Sequence, residues 1–193
     1  MIDMWLIYII SIVIVILVFL IYIFLKWIKI YNKFQELKTE VENQYANLKV
    51  IIQQRIVMMP ELAKVAKKYS EHEYSTFTDV TKARSGLSSG DINSRINIAQ
   101  KIENNWIKLQ AIFEKYPDLK SNEIYQRLMG DEDVSKIENR FRNAAEKYNE
   151  HVKKYNFSIR RFPQSIVAKI HHLQLIDHFT FPDVEYGPQE FFD

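Results

Sequence analysis

The 193-residue sequence has no cysteine, four glycines and five prolines. Without cysteine there is no disulfide and no thiolate metal site. So few glycines and prolines cannot supply the turns that a sheet-rich fold demands. Charge of one sign is missing as well. Lys+Arg number 26 and Asp+Glu 24, spread along the chain, so there is neither the basic groove nor the polybasic tail of a nucleic-acid binder. No glycine run precedes a helix as a phosphate-binding loop requires. Apolar side chains are plentiful at 47%, with eleven Tyr and twelve Phe, ample material for a core.

One long hydrophobic run dominates. Residues 4 to 25, MWLIYIISIVIVILVFLIYIFL, carry a single polar side chain, Ser11. As a helix the run spans roughly 33 Å, enough to cross a hydrocarbon core of about 30 Å. A cleaved signal peptide would need a basic start, a shorter apolar run and a small-x-small cleavage site. Here only Asp3 is charged before the run, and Lys26 and Trp27 follow it. Residues 1–26 therefore read as a retained membrane anchor. No Lys or Arg precedes the span, whereas Lys26, Lys29 and Lys33 follow it. The positive-inside rule then predicts a single-pass cell-membrane protein, N-terminus outside and the rest cytoplasmic. Trp5, Tyr8, Tyr22 and Trp27 suit the two interfaces.

After the anchor the pattern is helical, with apolar residues at spacings of three and four. The first stripe runs Phe34, Leu37, Val41, Tyr45, Leu48, Ile52, Ile56, Met59. A second takes in Leu62, Val65, Tyr69, Thr76, Val80 and Ala83, with His72 admitted between Tyr69 and Thr76. A third runs Ile92, Ile96, Ala99, Ile102, Trp106, Leu109, Phe113, Tyr116, and a last one Ile137, Phe141, Ala144, Tyr148, Val152, Tyr155, Ile159, Phe162. Gly86 to Asp91 read as a turn with an N-cap. Tyr116-Pro117-Asp118 stops the third helix, with Asp118 or Ser121 as the next cap. Pro60 interrupts the first two stripes, and a proline inside a helix costs roughly 3 kcal/mol. A break or sharp kink there yields segments of about 30, 25, 25 and 40 residues, suited to a four-helix bundle. A bent continuous helix is the alternative. The expected fold is all-α, with the bundle over residues 27–163 and a C-terminal tail over 164–193.

VENQYANLKVIIQQRIVMMPELAKVAKKYSEHE, then TKAR, KYPDLKSNE, ENRFRNAAEKYNEHVKKYN and RFPQSIVA together resemble the LemA family of bacterial membrane proteins. The resemblance covers residues 31 to about 170. It implies an N-terminal transmembrane helix and a cytoplasmic domain of four packed helices, with no established catalytic activity and, for some members, association with membrane organisation. Gln54, Glu61 and Ala145 stand where the family tends to have a basic residue, Asn and Arg. The chain also looks a residue or two longer around MGDED, an excess to be absorbed as a bulge or local break.

Candidate chemistry is sparse. GLSSG at 86 to 90 matches the hydrolase nucleophile elbow, but that motif needs a strand before the serine, and here it joins two helices. Helical bundles hold di-metal centres through Glu-x-x-His pairs, and none of the five histidines has an acid three residues before it. His72 and Glu73 lie near the expected middle of the bundle, where a histidine reads as hydrogen-bonded core. His171, His172 and His178, with Asp177, make a poor metal site. No metal, cofactor or catalytic residue is predicted. Tyr148-Asn149 and Tyr155-Asn156 repeat at seven residues, so the tyrosines share one face of a helix and the asparagines an adjacent strip. Glu138 and Asn139 precede them, and Arg55 can meet them from the first helix. This set is either a polar groove for a peptide partner or a network that fixes helix register.

In an up-and-down bundle the last helix ends where the first begins, at the membrane. Arg160, Arg161 and Lys169 lie among Ile159, Phe162, Ile166, Val167 and Ile170, a mixture that favours an anionic interface together with Lys26 and Lys29. Phe179, Phe181, Tyr186, Phe191 and Phe192 follow. Alternatively these apolar groups cover the open end of the bundle, as Asp177, Asp183, Glu185, Glu190 and Asp193 favour, since anionic lipid would repel them. The expected function is a membrane-anchored scaffold or adaptor in membrane organisation or partner recruitment. Its partners would be the bilayer, a further protein and, as an option, copies of itself, with no nucleic acid. The alternative is a ligand- or metal-binding regulatory bundle.

Overall fold

A computed structural model describes residues 2–67, 80–130 and 134–181. The chain is all-helical, with no strand among the described residues. Helix α1 spans Ile2–Ala66, α2 Ile92–Lys115, α3 Glu123–Met129, α4 Val134–Arg160 and α5 Gln164–Ile170, with 3₁₀ turns at Val80–Leu87 and Pro117–Ser121. Beyond α5, residues 173–181 have no regular secondary structure.

The apolar run forms the first part of α1. Its most apolar window has a mean hydropathy of 3.3, and none of it is buried against the rest of the protein. The helix continues into the bundle without interruption, and Pro60 lies inside it. Of the outcomes expected at Pro60, the structure excludes a break: α1 ends at Ala66, six residues later. Packing explains the continuation. Met59, Leu62, Ala63 and Ala66, on both sides of the proline, are 0–1% exposed. Burying one Leu or Met contributes about 1.5–3 kcal/mol, so keeping this face seated offsets the lost hydrogen bond and ring clash of about 3 kcal/mol.

The direction of each helix follows from its pairings. Glu42 meets Arg95 and Arg55 meets Glu103, so α2 runs parallel to α1. Arg55 also meets Glu138 and Tyr45 meets Tyr148, so α4 is antiparallel to α1, and beyond it His171 at the end of α5 meets Tyr31. Two parallel helices need a return path, here residues 67–91. Its 3₁₀ part buries Val80 and Leu87, and the Tyr45 hydroxyl donates to the Leu87 carbonyl at 2.8 Å. Residues of the second stripe between 68 and 79 lie outside the described residues. GLSSG is a turn: Gly90 takes φ +82°, in the left-handed region that glycine favours, and Asp91 caps α2 by accepting from the Ser94 amide at 2.8 Å.

Most stripe residues are buried as the spacing predicts. Ile92, Ile96, Ala99, Ile102, Trp106, Leu109 and Phe113 are all in the core, as are Phe141, Tyr148, Val152, Tyr155 and Ile159. Three details differ. Asn122, rather than Asp118 or Ser121, caps the next helix, through Ile124 N–H at 2.9 Å. The fourth segment is two helices, with α3 ending at Met129 and α4 starting at Val134, so the extra residues around MGDED fall where the helix is interrupted. Phe162 is 77% exposed, because α4 ends at Arg160 and the chain turns away.

Trp106 is fully buried in α2 and its indole N–H donates to Glu138 at 2.8 Å. Trp106→Ala should cost about 3–5 kcal/mol, the range for deleting a large buried aromatic. A melting temperature of the full chain in detergent unchanged by this substitution would contradict the packing described here.

Candidate functional site

The sequence-predicted polar residues divide into two neighbouring arrangements. The first is centred on Arg55, which is 1% exposed. Its guanidinium donates to Glu103 of α2 and, at 3.0 Å, to Glu138 of α4. It also lies 5.0 Å from the Trp106 ring centre and 4.1 Å from that of Phe141, positions at which an aromatic ring attracts a cation. Its Nε has no hydrogen-bond partner among the described residues. A planar, permanently charged group with several donors is suited to bridging two carboxylates. Burial pushes the Glu103 carboxyl above the usual glutamate range, and the Arg55 charge pulls it back. Glu103 was not predicted, although it adjoins Ile102 on the buried face of α2.

The second arrangement lies between α2 and α4 and is occupied by the chain's own residues 175–180. Asn156 donates to the Ile176 carbonyl at 2.7 Å and accepts from the Ile176 amide at 2.9 Å. One α-helical heptad away, Asn149 does the same for Phe179, at 2.8 and 2.7 Å. Between them the Tyr148 hydroxyl donates to the Asp177 carbonyl at 3.0 Å. From α2, Asn93 donates to the Leu175 carbonyl at 3.1 Å and accepts from the Asp177 amide at 2.9 Å. Gln100 donates to the His178 carbonyl and the Thr180 hydroxyl at 3.3 and 2.7 Å. Seven helical residues rise about 10.5 Å, and three tail residues bridge that distance only when extended. Every backbone carbonyl from Leu175 to Phe179 thus accepts from a side chain. Asn93 and Gln100 are also seven apart on α2, a spacing that matches Asn149 and Asn156 and went unread.

Ile176 and Phe179 are 5% and 1% exposed, and the Phe179 ring packs at 5.4 Å from that of Phe141. Phe141 therefore joins the two arrangements. Burial raises the phenol of Tyr155, pushes that of Tyr45 up to about 12 and raises that of Tyr148 further. These phenols serve as neutral hydrogen-bonding and packing groups, not as proton donors near neutrality. Asn139 is exposed and joins neither arrangement. His72 and Glu73 lie outside the described residues. Among the described residues no group of three or more His, Asp or Glu side chains could hold a metal ion.

Lys26, Lys29, Arg160, Arg161 and Lys169 are all exposed. An open cleft of about 720 Å³ is lined by Leu25, Lys26, Lys29, Pro163 and Gln164, and the Trp27 indole donates to His171 at 3.2 Å. The end of the bundle therefore lies where the apolar span stops. Phe179 does not lie at this end: it is buried along the side of the bundle, and Phe181 packs beside it at 5.8 Å. Tyr186, Phe191 and Phe192 lie outside the described residues.

An all-helical chain whose apolar N-terminal helix continues as the central helix of a polar-networked bundle defines a class of protein. The LemA family profile matches residues 44–190, and the chain belongs to the LemA family. It is 23% identical to the magnetosome protein MamQ of Magnetospirillum gryphiswaldense, over 77% of this chain and 64% of that protein. A MamQ of Paramagnetospirillum magneticum matches at the same identity and coverage. Protein LemA of Metamycoplasma hominis is 24% identical over 80% of this chain and 70% of its own length. The chain thus spans 64% of the length of the MamQ relatives it matches.

Removing Arg55 leaves Glu103 buried without its counter-charge. Arg55→Met should cost about 3–5 kcal/mol at neutral pH, the range for breaking a buried ion pair from one side. An acid whose folded pKa is raised gives its full stability below the unfolded value and loses it as pH rises through the folded value. The substitution removes the pull that lowers Glu103, so the variant should lose more stability than wild type between pH 5 and pH 8. Thermal melts in detergent at the two pH values measure this, and parallel losses would show that Glu103 does not depend on Arg55.

Proposed function

We propose that this protein is held in the cell membrane by residues 4–25, with its N-terminus outside and its bundle in the cytoplasm, and acts there as a scaffold or adaptor that recruits a protein partner. The observation that carries the reading is the unbroken passage of α1 from a fully exposed apolar span into the bundle core. A partner bound to the bundle is thereby held at a fixed position relative to the bilayer. Lys26, Lys29 and Lys33, at the bundle end of the span, support the cytoplasmic orientation through the positive-inside rule. Around that end Phe157, Phe162, Ile166 and Ile170 are 47–77% exposed, interspersed with Arg160, Arg161 and Lys169. Such a surface suits an anionic interface, where each cation contributes about 1 kcal/mol.

A protease-sensitive tag placed after residue 193 should be protected in intact cells and cleaved after lysis. Cleavage without lysis would reverse the orientation. Crosslinking in intact cells followed by mass spectrometry should return a protein joined to the bundle, and finding lipid-facing crosslinks alone would remove the scaffold role.

A further inference from the structure

The groove between α2 and α4 is built to read a peptide backbone, and its present occupant belongs to the chain itself. We infer that this groove is the recruitment site of the proposed scaffold, and that it takes an extended peptide segment of a partner carrying an aliphatic residue followed three positions later by an aromatic one. The segment 173–181, LQLIDHFTF, is then a resident competitor that must leave first. The inference rests on the scaffold reading and names its partner's chemistry.

Asn93, Gln100, Asn149 and Asn156 bond main-chain groups of the tail, groups that any non-proline segment offers. Apolar side chains are read at two positions, because Ile176 and Phe179 alone are buried between residues 173 and 181. Asp177 and His178 between them are exposed and leave the partner's residues there free to vary, while the Thr180 hydroxyl accepts from Gln100 at 2.7 Å. The walls of the groove are α2 and α4, whose apolar stripes are seated against α1 and not on the tail alone. The tail is joined to α5 through His172, whose φ of +50° closes the helix in a left-handed cap, with the His172 and Leu173 amides donating to Lys169 and Ala168, so this end stays fixed when the tail leaves. Because the tail is tethered, it competes at the high effective concentration of an intramolecular ligand, so a free peptide meets a mostly filled site.

The test uses the full chain in detergent micelles and a fluorescent peptide of sequence LQLIDHFTF. Ile176→Asp with Phe179→Asp in the chain should detach the tail and tighten peptide binding at least ten-fold over wild type. Adding Asn149→Ala and Asn156→Ala should abolish that gain, and a peptide with Asp at both apolar positions should not bind. Equal affinity of wild type and the tail variant for the peptide, with helical content retained, would overturn the inference. Hydrogen exchange on the wild-type chain supplies a measurement independent of any variant. The Ile176 and Phe179 amides should exchange at least ten-fold faster than the amides of Phe141 to Ile159. Exchange at one common rate would mean that the tail leaves only when the bundle unfolds, and would also overturn it. Failure of both measurements with protein crosslinks to the bundle intact in cells would reject this groove while leaving the scaffold reading in place.

Discussion

The buried guanidinium of Arg55 is the constraint on which the arrangement of the three long described helices depends. An ion removed from water is stabilised only if its charge is matched and its donors are used. Arg55 of α1 meets this requirement by drawing Glu103 from α2 and Glu138 from α4 to one point, with Trp106 donating to the same Glu138 oxygen. Apolar stripes alone do not fix such a point. A helix with apolar residues every three or four positions can shift by one turn against its neighbours and still bury a similar face. A shift by a turn, about 5.4 Å, would strand the guanidinium away from both carboxylates. The register of α2 and α4 on α1 is therefore set where the charge is, and the apolar residues supply most of the burial.

Register at Arg55 decides what happens at the tail. Phe141 is within 4.1 Å of the guanidinium, and its ring also packs against Phe179. On the same helix Asn149 and Asn156 present their amides to the tail, while Asn93 and Gln100 do so from α2. These two pairs can face one extended strand together only if α2 and α4 hold a fixed axial offset. The ion-pair network gives that offset. Arg55 and the groove are thus joined by the Phe141 ring and by the two helices that carry the groove's amides.

The sequence made much of this legible. Four of the readings rested on periodicity, and periodicity reports burial directly, so the stripes of α1, α2 and α4 fall in the core almost residue for residue. At Pro60 the local rule favours a break, and the burial of Met59, Leu62 and Ala66 opposes it. Phe162 continued the period of α4 on paper, but the helix stops at Arg160 and periodicity has no force beyond a helix end. The Tyr-Asn repeat was visible as a feature, while its occupant was not. Side-chain amides that bond a main chain leave no mark on the sequence of the segment they hold, so nothing in LQLIDHFTF advertises its seat. The matching Asn93 and Gln100 spacing was the available clue, since two polar residues seven apart on each of two helices imply something lying between them. Glu103 was legible only in retrospect: a glutamate beside Ile102 and three before Trp106 is on the buried face and requires a cation, which Arg55 supplies.

The anchor and the groove are linked by α5. His171 at its end accepts from Trp27 and stacks at 4.4 Å on Tyr31, both on α1 just past the apolar span. Two residues later Leu173 N–H donates to the Ala168 carbonyl at 2.9 Å and the tail begins its run along α2 and α4. The tail is therefore fixed at one end close to where α1 leaves the apolar span. For the release inferred above, a tether at that end would restrict the segment to the volume near the base of the bundle and keep its effective concentration high. A segment tethered at the far end of the bundle would close the same groove but would be released away from the surface on which the bundle stands. Placement of the pivot beside Trp27 thus sets the start of the tail next to the end of the apolar span.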